Sequence, residues 1–432
     1  PYIIFKRVVK MYMFYWSKIV PGKVAACDDE MCVTYGELAK LAAEWLYPGR
    51  VLFAASCSVR SLAALMGLLN GGGTVALIDP DSTPEDLKFY IDDFAPDVVA
   101  GDVEFIQRNR EALRDVKTVD ISQSLGAGGR PTLRGRFVLY HAGVAGRTMQ
   151  VIHNVSSLWI NAYVLSTTMS LSRDDVVFTA SPIVTVPGLV NVAAALSAGA
   201  SVKFLKKPKP EALDGVTIAV GPPSFYLEML KMGVRRLRLR YAVSSAAVLQ
   251  PEVRTEFEVK TGVKILQQYT LAEGLVVSFE PLGYYSRGSI GLPLPLVEVK
   301  LMEDGELWIK SPWNMEGYKD EEETRKVLID GWLRTGDIVH VDEDGLLYFR
   351  GAKKRIIKHR GYTIFPRDLE QLLKRHPAVA EANVVGEPHP HYGEVPVAYV
   401  KLRESVSPEE LLDFVNSKVA PFKRLHKIYI TK

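Results

Sequence analysis

Residues 139–154 read LYHAGVAGRTMQVIHN. Gly143 and Gly146 bracket two small apolar residues, and Arg147 follows. An apolar entry, a glycine-punctuated turn and an apolar exit describe a strand running into a loop. The backbone N–H groups of such a loop can face an anion, phosphate above all. The hydroxyls and the lysine that usually complete that grip are missing from the loop. Basic runs at 235–240 and 353–360 are local and read as solvated faces. The net charge of +3 makes no case for a nucleic-acid partner. Cys27, Cys32 and Cys57 are odd in number and lack metal-ligand spacing, which fits a reduced cytoplasmic compartment best.

The elements that must carry such a loop are legible around it. The chain of 432 residues is long enough for two or three domains, and its 47% hydrophobic and 24% charged residues suit a soluble globular protein. No signal peptide and no uncharged run of about 18 apolar residues interrupts it. The opening YIIFKRVVKMYMFYWSK reads as a packed helix, with a membrane-surface helix as the alternative. Sparse Asn and Gln point to a thermophile, and a start at Pro1 reads as trimmed. VTYGELAKLAAEWL is a helix with Thr34 as N-cap and Glu37 closing a capping box. Apolar runs such as VLFAAS, TVALID, DVVFTAS, VTIAVG, LRYAVSS and KILQQY alternate with helical patterns. That alternation argues for parallel sheets covered by helices, an α/β fold. From about residue 285 the texture changes to hairpins around Asp304-Gly305 and Asp344-Gly345, a small antiparallel sheet. After Lys353 comes a compact α+β tail, its last helix opened by Ser407 with Glu410 at the capping-box position. The expected division is 1–353 and 354–432.

The stretch WLRTGDIVHVDEDGLLYFRGAKKRIIKHRGYTIFPRDLE carries Thr335-Gly336-Asp337, then Lys358, Gly361, Ile364 and Pro366. In that order it resembles the adenylate-forming superfamily: acyl-CoA synthetases, peptide-synthetase adenylation domains and luciferases. Similar stretches (VTYGELAKLA, GYKDEEETRKVLIDGWLRTGD, HPAVAEANVVGEPHPHYGEVPVAYV) extend the resemblance along almost the whole chain. It implies a large N-terminal domain of two α/β subdomains plus a small β-barrel, and a small mobile α+β lid. It implies ATP or AMP, Mg²⁺ and CoA as cofactors, with a carboxylic acid as substrate and CoA or a carrier-protein thiol as acceptor. Asp337 would accept hydrogen bonds from both ribose hydroxyls, which suits a group with several lone pairs and no donor. QQYTLAEG resembles the Tyr-Gly-x-Thr-Glu motif. Gln268, Tyr269 and Thr270 would line the adenine, and Glu273 would hold Mg²⁺, a hard cation that prefers oxygen ligands. Ser245, Ala246 and Ala247 match the segment that lies along adenine and acyl group, where small side chains let a flat ring approach the backbone. Residues 181–200 resemble the region beside an apolar acyl pocket, with Thr185 where His or an aromatic is common.

The departures are as informative. Against Tyr-Thr-Ser-Gly-Thr-Thr-Gly-x-Pro-Lys-Gly, the loop keeps Tyr140, Gly143, Gly146 and Arg147. It places His141, Ala142, Val144, Ala145, Thr148, Met149 and Gln150 elsewhere in the motif. Each lost hydrogen bond to a charged group is worth about 1.5–3 kcal/mol. Losing two or three without replacement would slow the ATP step by on the order of 10³–10⁵. Arg147, His141 and His153 are the nearby groups able to compensate. Thr270 and Ala272 replace a Gly and a Thr, Asp368 stands in place of a Glu, and Ala352 stands in place of an Arg, with Arg350 close by. Lys354 takes the hinge position, and the family's late Gly-Lys would fall beyond Lys432. Two readings result: an acid–thiol ligase working through an acyl-adenylate, or an impaired relative that binds an adenylate, acyl-CoA or partner without full turnover.

Overall fold

The computed structural model describes residues 12–126, 128–142, 148–206, 209–282, 288–353 and 356–431. Two large sheets dominate. The first orders its seven strands by residue as 317–318, 148–154, 136–142, 74–77, 50–54, 98–101 and 117–120, and the five from 136–142 onward are mutually parallel. The second has nine strands. Its parallel centre includes β1 (Val176–Thr179), β2 (Ile218–Gly221), β3 (Tyr241–Ser245) and β4 (Ile265–Leu271). A parallel strand covered on both faces must be apolar on both faces. The IAVG of β2 is accordingly buried at every position.

Between the sheets lies the main core, filled by the helices Val59–Asn70, Val155–Thr168 and α1 (Val186–Ala198). Every residue of α1 but the last is buried, the pattern of a helix apolar all round. The far face of the second sheet packs Ala219, Ala242 and Ile265 against Phe225, Tyr226 and Phe257 of the helices Pro223–Lys231 and Pro251–Thr261. The far face of the first packs on the helix α2 (Pro84–Phe94) through Leu87, Tyr90 and Phe94. Five layers result.

The expected helix starts are present. Thr34 and Glu37 form both bonds of a capping box, and Ser407 accepts the N–H of Glu410 at 3.1 Å. The opening segment packs as a helix over Tyr12–Ile19, with Met13 fully buried and Trp16 donating to the Ser197 carbonyl at 3.0 Å. Both Asp-Gly hairpins form, with Gly305 and Gly345 at φ +81° and +84°, a region open mainly to glycine. The small antiparallel sheet they build has five strands and is a half-barrel rather than a closed one. Residues 357–428 hold a hydrophobic core of their own around Ile364, Leu373, Val384 and Val400. Among the described residues no helix is long and apolar enough to cross a membrane. Cys27 and Cys32 are register partners on adjacent antiparallel strands and form a disulfide, with Cα atoms 4.1 Å apart, while Cys57 is free. The cysteines therefore give no support to a reducing compartment.

Candidate active site

The carboxyl ends of the strands in a parallel sheet are where open α/β folds place ligands. At that end of β4 stands Tyr269, whose phenol donates to a carboxylate oxygen of Asp337. Asp337 lies on β5 (Trp332–Val341) of the half-barrel sheet and is 6% exposed. Its position is set locally. Thr335 Oγ1 donates to the Leu307 carbonyl at 2.7 Å and accepts the Asp337 N–H at 3.0 Å, across Gly336 at φ +73°. Burial, then the Asp337 charge, hold the Tyr269 phenol well above its ordinary pKa, so it stays a donor.

Four residues beyond Tyr269, Glu273 is 2% exposed. Tyr318 donates to its Oε1 at 2.7 Å from the strand Gly317–Tyr318, and the Glu273 carbonyl accepts the Met315 N–H at 2.8 Å. Burial, then the Glu273 charge, also push the Tyr318 phenol up. Beside it His153 is fully buried, stacked on Phe137, with Nε2 at 2.7 Å from the Ala272 carbonyl. Burial pushes this imidazole down to about 4. His153 therefore braces the Glu273 turn from inside the core rather than standing ready for a phosphate. Tyr318 lies within GYKDEEETRKVLIDGWLRTGD, and nothing in its spacing marks it as a site residue. The one signal was an aromatic hydroxyl bordering an acidic run.

Tyr318 pairs with Val151 on the strand Thr148–Asn154, which is also the exit of the glycine loop. That strand and Arg136–Ala142 form an antiparallel hairpin, so the loop joins two neighbouring strands, with Ala142 opposite Thr148. Asp337, Tyr269, Glu273 and the strand leaving the loop are thus linked in one place. Gly143, Gly146, Arg147 and Lys354 lie outside the described residues, as does the side chain of His141. Ser245 is buried, Ala246 adopts φ +73°, a conformation rare for a residue with a Cβ, and Ala247 and Thr270 are partly exposed. Gln268 is buried and accepts a hydrogen bond from Asn191 of α1 at 2.9 Å. Arg350 is exposed, two residues from Ala352, the register partner of Asp337. Lys353 leaves the half-barrel anchored, its N–H on the Gly336 carbonyl at 2.7 Å and its Nζ on Glu306 at 2.9 Å.

The C-terminal unit sits against this site. Gly361, at φ +87°, approaches so closely that a Cβ there would meet the Pro222 Cβ at 2.9 Å. Between the two units lies a cleft of about 270 Å³, bordered by Thr185, Pro187, Pro222, Ala246, Arg360 and Tyr362 among others. Thr185 is the N-cap of α1 and donates to the Pro182 carbonyl at 2.7 Å. Polar contacts hold the units together: Thr148 Oγ1 to Asp368 at 2.7 Å, Lys423 Nζ to Asp86 at 3.0 Å, and Tyr362 to Asp79. No cluster of three or more His, Cys, Asp or Glu suited to a metal occurs among the described residues. A single carboxylate such as Glu273 nonetheless fits Mg²⁺ bound mainly through substrate phosphates and water.

Residues 137–319 match the sequence profile described as AMP-binding enzyme, and residues 368–432 match the AMP-binding enzyme C-terminal domain. A probable CoA ligase of Humulus lupulus is 30% identical over 94% of this chain and 82% of its own length. Among solved structures, a double mutant of o-succinylbenzoate CoA synthetase from Bacillus subtilis, bound to its product analogue, superposes with a TM-score of 0.90. The two are 21% identical, over 98% of this chain and 94% of that one. A malonyl-CoA ligase in a ternary product complex with methylmalonyl-CoA and AMP is similar with a TM-score of 0.83 at 27% identity, over 95% of this chain and 96% of that one.

Proposed function

The chain belongs to the AMP-binding enzyme family, and we propose that it joins a carboxylic acid to CoA through an acyl-adenylate. The acid's carboxylate oxygen attacks the α-phosphorus of ATP, and pyrophosphate leaves. The thiol of CoA, or of a carrier protein, then attacks the acyl carbon and AMP leaves. Asp337 holds the ribose hydroxyls and Tyr269 lies along the adenine, with Arg350 near the same edge. Gly143, Gly146 and Arg147 would serve the phosphates. Glu273, steadied by Tyr318, would hold Mg²⁺, which when bound offsets phosphate charge. The lid, residues 354–432, pivots at Lys354, just beyond the anchored Lys353. The cleft beneath Gly361 admits the thiol to the acyl carbon.

The observation that carries this reading is the Asp337–Tyr269 contact. It brings a ribose-type carboxylate and an aromatic ring from two different sheets to one strand end, four residues from Glu273. The loop's loss of hydroxyls and lysine favours a second reading, in which nucleotide binds without turnover. The test is direct. Purified protein is given ATP, Mg²⁺, CoA and a panel of acids, and both pyrophosphate and thioester are followed. Acid-dependent release of pyrophosphate with thioester formation supports the ligase. AMP binding with no acid-dependent release from any member supports the second reading.

A further inference from the structure

The face of the second sheet that packs on α1 is apolar along the strands: Val177 on β1, Val220 on β2, Tyr241 and Val243 on β3, Leu266 on β4. At the carboxyl ends the character changes abruptly. Side chains alternate along a strand, so the next residues on the same face are Thr179, Ser245 and Gln268. Ser245 and Gln268 are register partners on adjacent strands. Opposite them α1, apolar apart from Ser197 near its end, presents Asn191, which is 1% exposed. Polar groups buried this deeply in an apolar layer are costly unless each finds a partner.

The hydrogen bonds here do not close. The Asn191 amide donates to the Pro187 carbonyl at 2.8 Å and to Gln268 Oε1 at 2.9 Å. Among the described residues the Gln268 amide has only a long return contact to Asn191 Oδ1, 3.4 Å. Ser245 Oγ is 1% exposed by residue and has no hydrogen-bond partner among the described residues. The hydroxyl of Ser244 also has no partner among the described residues, but it belongs to the opposite face, with Ala242. The α1 side thus keeps a hydroxyl and an amide N–H in reserve. Their position is not incidental. Ala246, which follows Ser245, and Pro187, one turn before Asn191, both border the cleft under Gly361. Arg360 borders the same cleft from the C-terminal side.

We propose that Ser245, Gln268 and Asn191 form a polar recognition site for the acyl part of the substrate. It selects acids that carry an uncharged oxygen (hydroxyl, ketone or ether) over plain hydrocarbon acids of the same shape. This rests on the ligase reading for the fate of the acid, but not for the kind of acyl group preferred. A pocket built to hydrogen-bond an oxygen rejects the analogue lacking it more sharply than an apolar pocket discriminates by size.

The experiment compares shape-matched acids: 4-oxopentanoate against 4-methylpentanoate, and 3-hydroxybutanoate against 3-methylbutanoate. In wild type, kcat/KM for pyrophosphate release favours at least one oxygenated member by about tenfold or more, as one added hydrogen bond gives. In Ser245→Ala and Gln268→Met that ratio falls toward one. Were the trio only a tie between helix and sheet, both variants would lose stability while the ratio stayed put, and the proposal would be overturned. Equal use of both members, or preference for the hydrocarbon, overturns it as well. If no acid releases pyrophosphate, the ligase reading fails separately. The same pairs are then compared by calorimetric binding in the presence of AMP, where equal affinity overturns the selectivity proposed here.

Discussion

Acid should undo the brace behind Glu273 through one imidazole. His153 is fully buried, and its folded pKa is pushed down to about 4 from an ordinary 6.5. A group whose folded value lies below its unfolded one contributes stability that is present above 6.5 and lost as pH falls through the window to about 4. At pH 4 the unfolded imidazole is almost wholly protonated and the folded one half so, which corresponds to a loss of about 3 kcal/mol. The variant His153→Gln isolates this from the many carboxylates that also titrate. Its amide can still donate to the Ala272 carbonyl, and it carries no titrating proton. Unfolding of both proteins in denaturant is followed from pH 7 to pH 4. The difference between them should grow in favour of the variant by about 3 kcal/mol over that range, with half of the change above pH 5.3 or so. Because the bond to Ala272 adjoins Glu273, AMP-induced stabilisation should fade over the same window in wild type and persist longer in the variant. Parallel acid limbs would refute the reasoning, since a buried neutral histidine cannot leave the pH dependence untouched.

Other outcomes follow from single contacts. Asp337→Asn keeps one acceptor but turns the other corner of the group into a donor, so AMP affinity measured by calorimetry should drop about 10- to 150-fold; unchanged affinity removes Asp337 from the nucleotide site. Tyr318→Phe withdraws the donor on Glu273 Oε1 and should lower kcat for pyrophosphate release by about 10- to 100-fold, with AMP binding retained. An effect on AMP affinity alone would contradict the placing of Glu273 at the phosphates. Gly361→Val combines a φ of +87° with a Cβ 2.9 Å from that of Pro222, a strain of roughly 1–3 kcal/mol. Thioester formation should fall while pyrophosphate release persists, and equal loss of both would show that the cleft under Gly361 is not specific to the thiol step.

Much of the fold was legible because its signals are local. Thr34 with Glu37, the two Asp-Gly turns and the apolar strand runs each specify their element within a few residues. What was not legible depended on partners far along the chain. Nothing near Cys27 or Cys32 announces that a tight antiparallel pairing makes them neighbours. His153 looked like a phosphate group's companion because it follows the glycine loop. Its strand alternation turns it inward instead, onto Phe137 and the Ala272 carbonyl. Asn191 could have been noticed as the sole amide within VPGLVNVAAALSA. Its meaning still required β4 to bring Gln268 opposite. Thr185 stood out only as a missing aromatic, yet its hydroxyl serves as the cap that starts α1.

Two departures that look like separate losses in the sequence turn out to be one contact. Thr148 stands where the resemblance expects a proline at the end of the phosphate loop, and Asp368 where it expects a glutamate in the lid. In the structure Thr148 Oγ1 donates to Asp368 at 2.7 Å, 220 positions away in sequence. A proline has no hydroxyl to give. The two changes are therefore joined by one hydrogen bond. Burial raises the pKa of the Asp368 carboxyl, and the Thr148 bond and the nearby Lys423 oppose that rise. Lys423 in turn donates to Asp86 on α2. The loop's exit strand, the helix behind it and the lid are therefore held as one body in this arrangement. A lid that swings away must release Thr148 and Asp86 together. The first residue of the strand beyond the loop is thus bonded to the C-terminal unit, at a position where the resemblance expects a proline that could make no such bond.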